Sequence, residues 1–250
     1  MRLRSLALGL VGGLALVVAC TSMSGNRIAP DILSGERPWP ARVSVLPLDF
    51  GMGSSKRDGV LARDDAWSAK ALEHLRQVAA GLGGRLPGSQ VIDAPTPSGY
   101  ALVSLGQLIE RALRTTFAHS VAPDADEPTI VDTLGPGLAA WGTEHDVDAL
   151  LVLRGEAVMP HELLSGFHDD DDGDFNRSSG FVQFVAVLLD TASGQVLWMD
   201  VRSELSGGGL PQPDPDPRKR YVVQDGVDEL LANWPGERFT APADSSTTDD

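Results

Sequence analysis

The chain has 250 residues, with 20 lysines and arginines against 35 aspartates and glutamates, for a net charge of −15 at neutral pH. So acidic a balance repels phosphate backbones and anionic headgroups, which excludes nucleic acid as a partner. With 42% hydrophobic residues and one cysteine, the chain can build one good-sized core or two small ones and no internal disulfide.

Residues 1–19 carry Arg2 and Arg4 ahead of an apolar run from Leu6 to Val18, the layout of a secretory signal peptide. The run falls short of the roughly 20 apolar residues of a spanning helix. Polar Thr21-Ser22-Met23-Ser24 follows directly after Cys20. Val17-Val18-Ala19-Cys20 resembles the lipobox of bacterial lipoproteins, in which the cysteine becomes the lipidated N-terminus. Cys20 is the only cysteine, and lipidation explains its solitude, because a free thiol is a liability in an oxidising compartment. Several acyl chains at about 0.8 kcal/mol per buried methylene make such attachment effectively permanent. The resemblance implies a protein held by lipid on the periplasmic face of the outer membrane, since a residue other than Asp, here Thr21, follows the cysteine. Removing residues 1–19 takes away two arginines and no acid, so the mature charge is −17.

Residues 20–40, polar and broken by Pro30, Pro38 and Pro40, read as a lipidated tether. Arg42 to Phe50 is β-rich, and Pro47, which cannot donate to a ladder, places that part at a strand end or an edge. After a glycine-rich, charged loop, Trp67, Ala71, Leu75, Val78 and Leu82 share one helix face, capped by Asp64 or Asp65 and stopped by Gly83-Gly84. Val91-Ile92 suits a short strand. Beyond Pro95-Thr96-Pro97, Leu102, Leu105, Ile109, Leu113 and Phe117 form a second helical stripe.

Thr129-Ile130-Val131 predicts a short strand and Gly137 to His145 a short helix. Ala149 to Leu153 is continuously apolar, which suits a strand covered on both faces. Phe181 to Leu189 and Gln195 to Leu205 are strands joined by the turn Asp190 to Gly194, hence an antiparallel hairpin. In the second strand Leu197, Met199, Val201 and Leu205 face one way and Trp198, Arg202 and Glu204 the other, which predicts a one-sided core contact. A proline-rich loop from Gly207 to Pro217 leads to a final helix of Val223, Val227, Leu230 and Leu231, stopped by Pro235. Residues 237–250 form a small, polar, acidic tail expected to be disordered. The expected fold is α/β: one mixed sheet with an antiparallel hairpin and helices packed on it, filling residues 41–236 as a single domain.

In this order the segments look like the envelope-lipoprotein domain shared by the curli-secretion lipoprotein CsgG, the penicillin-binding-protein activator LpoB and the N-terminal domain of TolB. The matching pieces are Val43-Ser44-Val45-Leu46-Pro47-Leu48, Leu108-Ile109-Glu110-Arg111-Ala112-Leu113, Asp146 to Val152, Leu188 to Trp198 and the closing helix before Pro235. The hairpin pattern Asp190-x-x-x-Gly194-x-x-Leu197-Trp198 is the most specific of them. A helix-bearing segment between about Asp58 and Pro97 and an acidic loop in 160–180 depart from the pattern. The resemblance implies a non-catalytic periplasmic module that binds other envelope proteins.

His168-Asp169-Asp170-Asp171-Asp172-Gly173-Asp174 is the most conspicuous chemical feature, and Asp170, Asp172 and Asp174 are the carboxylates best spaced to collect a hard cation. The calcium-loop pattern fails: with Gly173 at its sixth position the first is His168 and the twelfth Ser179, so the leading acid and the closing glutamate are both missing. The favoured reading is a solvated hairpin tip, and neither metal nor cofactor is expected. His161-Glu162 starts like a zincin helix but has Ser165 where the second histidine belongs, and no Gly-x-Ser-x-Gly elbow occurs. Most of the five tryptophans suit a core, with Trp39 and Trp198 the best exposed candidates for touching a partner. These features favour a protein-binding lipoprotein over two other readings. A subunit of an oligomeric export complex would need barrel strands of about 9–11 alternating residues. An envelope hydrolase would need a nucleophile, base or metal set that the sequence does not offer.

Overall fold

The computed structural model describes residues 24–55, 61–99, 102–111, 132–160, 180–206 and 221–240. Strands β1 (Ser24–Ile28), β2 (Arg42–Ser55), β3 (Leu61–Arg63), β4 (Gln90–Val91), β5 (Ala149–Pro160), β6 (Gly180–Asp190) and β7 (Val196–Ser206) share one sheet. Its order is β1-β7-β6-β5-β2-β3, with β4 also on β2. The pairs β2–β5 and β2–β4 are parallel and the others antiparallel, so the sheet is mixed.

The apolar run Ala149 to Leu153 lies mid-sheet, and both faces are covered as its composition requires. On one face Leu151 and Leu153 join Val43, Phe50, Phe184 and Leu188. Over them lie α2 (Asp65–Ala80), through Ala71, Leu75 and Ala79, and α5 (Tyr221–Leu231), through Val223, Val227 and Leu230. On the other face Leu150 and Val152 join Val185, Val187, Met199 and Val201. Their cover comes from Leu105, Leu108 and Ile109 of α3 (102–111) and from Leu138, which ends a 3₁₀ turn leading into α4 (Ala139–His145). The result is a three-layer α/β sandwich. Leu113, Phe117 and Thr129 to Val131 lie outside the described residues.

Two one-residue bulges decide which side chains reach which layer. In β2, Pro47 is level with Leu153 and Asp49 with Arg154, so Leu48 is the extra residue. Leu46 and Leu48 therefore face α3 while Phe50 and Met52 face α2, a phase change that strict alternation forbids. Of the two placings expected for Pro47, a strand end or an edge, the strand end is corrected: the strand runs on to Ser55, and the proline is accommodated beside a bulge. Among the described residues its outer flank has no strand partner, as at an edge, because β4 reaches only Arg42 and Val43 and β3 only Gly53 to Ser55.

In β7, Leu188 pairs with Trp198 and Leu189 with Val196, so Leu197 is extra and falls on the same side as Trp198. The one-sided core contact expected for β7 is thus overturned: Met199 and Val201 fill one core while Leu197 and Trp198 fill the other.

The N-terminal boundary also moves. From Ser24 on, the expected tether is part of the fold: β1 pairs with β7 from Ser24–Arg202 to Ile28–Trp198. A short helix α1 (Pro30–Leu33) then buries Ile32 completely. Polar composition hid this because the segment, an edge strand, a helical turn and a loop, buries only a few apolar residues, among them Ile28, Ile32 and Trp39. At the C-terminal side, residues 237–240 belong to helix α6 (Gly236–Thr240) rather than to a tail, and Phe239 packs on the core. Among the described residues no helix is long and apolar enough to cross a membrane.

The sheet has two unlike ends. At one, β1 begins, β2, β5 and β7 finish and β6 begins. At the other, β2 and β5 begin and the β6–β7 turn closes, with the chain after α1 laid against it.

Candidate functional site

The turn end concentrates the polar chemistry of the described surface. The turn from Asp190 to Gln195 is tightened by Gly194 N–H donating to the Asp190 carbonyl at 2.8 Å, and Ser193 N–H donates to Asp190 Oδ2 at 3.0 Å. Gly194 has φ +71°, and a Cβ there would run into the Gly135 backbone, so no other residue fits. Arg37 clamps this turn to α1. Its Nε donates to Asp31 Oδ2 at 2.7 Å, Nη1 to Asp190 Oδ2 at 2.9 Å and Nη2 to Gln195 Oε1 at 2.8 Å.

Beside it Arg42 opens β2 by donating its backbone N–H to Asp148 Oδ2 at 2.9 Å and Nη2 to Asp148 Oδ1 at 2.8 Å, and it also pairs with Asp146. The hydrogen bonds from Arg42 hold the Asp148 carboxyl below the usual carboxylate range, against a smaller effect of burial. Asp146 caps α4 in the left-handed region at φ 57°, a conformation that Asp tolerates better than most residues. The Thr191 hydroxyl donates to the Val147 carbonyl at 2.7 Å, tying this cluster to the β6–β7 turn. Gly142 leaves the room, since a Cβ there would overlap Thr191. A third arginine, Arg111 of α3, grips Asp132 with Nε to Oδ2 at 2.8 Å and Nη2 to Oδ1 at 2.7 Å.

Three arginines are thus matched by Asp31, Asp190, Asp146, Asp148 and Asp132, which leaves the end acidic and its side chains held in place. Pairs this exposed add at most about 1 kcal/mol each, so what they supply is chiefly geometry. Among the described residues no three His, Cys, Asp or Glu side chains are grouped to hold a metal ion.

The residues singled out from sequence fare differently. Cys20, Asp170, Asp172 and Asp174 lie outside the described residues. Trp39 and Trp198 are corrected: they are 5% and 0% exposed, so neither is the exposed side chain expected. They meet in an aromatic cluster, with Trp234 edge-on to both at 5.1 Å and 5.3 Å and Phe239 stacked on Trp39 at 5.8 Å. Their indole N–H groups are used internally, Trp39 on Ser89 Oγ at 3.1 Å and Trp198 on Asn26 Oδ1 at 2.7 Å.

No protein-family model matches the chain, and no curated protein does. It is similar to several solved structures. The PelC dodecamer from Paraburkholderia phytofirmans is 10% identical over 88% of this chain and 98% of that one, with a TM-score of 0.32. Lipoprotein GNA1162 from Neisseria meningitidis is 18% identical over 78% of this chain and 99% of that one, with a TM-score of 0.31. The hypothetical protein CT253 from Chlamydia trachomatis is 11% identical over 81% and 99%, with a TM-score of 0.36.

Among the described residues, sequence reading missed the buried carboxyl of Asp200. Asp200 is fully buried on the α5 side of β7, and burial pushes its carboxyl up, opposed by a hydrogen bond from Asn233 Nδ2 at 2.9 Å and by the Arg202 charge. Its neighbour Val201 donates its N–H to Asp200 Oδ1 at 2.9 Å. The available signal was an aspartate inside an otherwise apolar strand, Val196-Leu197-Trp198-Met199-Asp200-Val201. Asp200 ties the chain just after α5 to the sheet, a structural role.

Proposed function

We propose that this chain is a membrane-anchored envelope lipoprotein that acts without catalysis, as a module for binding other envelope proteins. The observation that carries the reading is Val17-Val18-Ala19-Cys20 behind a basic and apolar leader, with Cys20 the only cysteine of the chain. The resemblance of the sequence segments, above all Asp190-x-x-x-Gly194-x-x-Leu197-Trp198, to those of CsgG, LpoB and TolB supports the same reading. The turn end then supplies the recognition surface: its arginines are already engaged by aspartates, so its residual charge is negative, and a partner presenting basic or hydrogen-bond-donating groups fits it.

Two measurements test this. Metabolic labelling with an acyl probe should mark the native chain, and Cys20→Ser should abolish the label and release the protein from the membrane. Label that persists in the variant would place the anchor elsewhere. A photo-crosslinker at Gln195 in intact cells should capture an envelope protein, and the capture should be lost when Asp190 and Asp148 are replaced by lysines. Capture that survives that charge reversal would move the recognition surface off the turn end.

A further inference from the structure

We infer that the stretch from Asp93 to Ser98 is a preformed polyproline II ligand, displayed for a groove lined by aromatic side chains on a partner protein; this rests on the chain being a binding module. The sequence dictates the conformation. Pro95 and Pro97 have φ locked by their rings, and Ala94 and Thr96, each followed by a proline, are driven out of the helical region. Residues 94–97 are thereby held extended. The stretch also stands off the sheet: Ile92 N–H donates to the Val43 carbonyl at 2.8 Å as β4 ends, and among the described residues no backbone-to-backbone hydrogen bond involves 93–98. Burial follows the period of such a helix, about three residues per turn. Ala94 is half-buried and Pro97 buried, while Asp93, Pro95, Thr96 and Ser98 are exposed.

One edge of this strap is spent on the fold and the other two face solvent. The inward edge is clamped by Trp141 of α4, whose indole N–H donates to the Pro95 carbonyl at 2.9 Å, and Gly99, with φ +67°, turns the chain away after Ser98. Of the outer edges, one carries Pro95 and Ser98 and the other Asp93 and Thr96. Aromatic-lined grooves read such ligands by packing rings against proline and donating hydrogen bonds to the solvated backbone. Here Pro95 offers the ring contact, and the Asp93 carboxylate favours a basic side chain at the rim of the groove. Because the strap is held at both ends, docking it costs little ordering entropy. It leaves the sheet where Val91 is level with Val43, and the helix that clamps it is capped by Asp146, which pairs with Arg42, so it adjoins the acidic turn end.

A photo-crosslinker at Ser98 of the full chain in intact cells should capture an envelope protein, and the peptide of that protein joined to it should contain Trp, Tyr or Phe. Pro95→Gly combined with Thr96→Gly frees the backbone and should lower the yield several-fold. Thr96→Pro, at a position whose N–H makes no backbone hydrogen bond among the described residues, keeps the strap extended and should preserve the yield. The substituted side chains are exposed, so both variants should melt close to the parent. If the glycine pair melts early, Pro95→Ala alone decides, and it too should lower the yield. Capture that survives the loss of Pro95, capture lost in Thr96→Pro, or a joined peptide without an aromatic side chain would each overturn the strap as the ligand. The crosslinker at Gln195 separates this inference from the reading beneath it: capture at 195 without capture at 98 overturns the strap alone, and capture at neither overturns both.

Discussion

Asp200 shows how a single residue can set the acid response of the fold. Burial raises its carboxyl, so the folded state holds that proton more tightly than the unfolded chain does. Its contribution is therefore fully present below the ordinary carboxylate range and is lost as the pH rises through the raised folded value. Asp200→Asn removes the titration. Measured by denaturant midpoints, the variant should gain on the parent as the pH climbs from about 4 toward neutrality. One hydrogen bond from Asn233 or Val201 is lost in the variant at every pH, so the slope rather than the absolute stability is the readout. An unchanged slope would mean that Asp200 is ionised in the fold without penalty. The tryptophans teach a related lesson. Trp198 looked outward because alternation counted from Leu197, and that residue is itself the bulge. Trp39 looked exposed because it lies in a polar, proline-rich stretch, whereas its partners Trp234 and Phe239 are nearly two hundred residues further along the chain and leave no local trace.

Among the elements, β5 was the most legible. Its apolar run demanded cover on two faces and received it from α2 and α5 on one side and α3 on the other. Leu151→Ala should accordingly cost roughly 2–5 kcal/mol in chemical denaturation, the usual toll for a leucine with no exposed surface. A cost below about 1 kcal/mol would show that the strand is not central. Gly155, four residues on, was read only as continuing the strand. In the sheet it lies between Phe50 and Phe184 in register, with the two rings edge to face at 5.7 Å, and a Cβ at 155 would penetrate the Phe50 ring. Gly155→Ala should then destabilise by about 1–3 kcal/mol through overpacking, whereas Gly83→Ala, which meets nothing, should stay near neutral in the same assay. The hairpin β6–β7 was placed to within a residue or two, since its turn carries the glycine that its geometry requires. The phase changes at Leu48 and Leu197 were beyond reach: a one-residue insertion becomes visible only against a partner strand.

For the whole molecule, the error in the sequence reading was one of boundary. The α/β class and the single mixed sheet were visible in the order of periodic segments, but the body already includes Ser24, well ahead of residue 41. A true tether is dispensable, so deleting residues 24–40 distinguishes the two readings directly. Ile28, Ile32 and Trp39 each bury a side chain of about 1.5–3 kcal/mol. At about 2–4 °C per kcal/mol, their joint loss should lower the melting temperature by roughly 10–35 °C. It would also bare the β7 edge to aggregation. A deletion that melts with the parent would restore the tether. The pairing of β1 with β7 has one more consequence, a mechanical one. If the chain is anchored through Cys20 and drawn by a partner at the turn end, tension runs along the axis of β1, while its hydrogen bonds to β7 lie across that axis. All five paired positions are then loaded together in shear instead of being peeled one by one, so the strand nearest the anchor is oriented to bear a pull from the far end of the molecule.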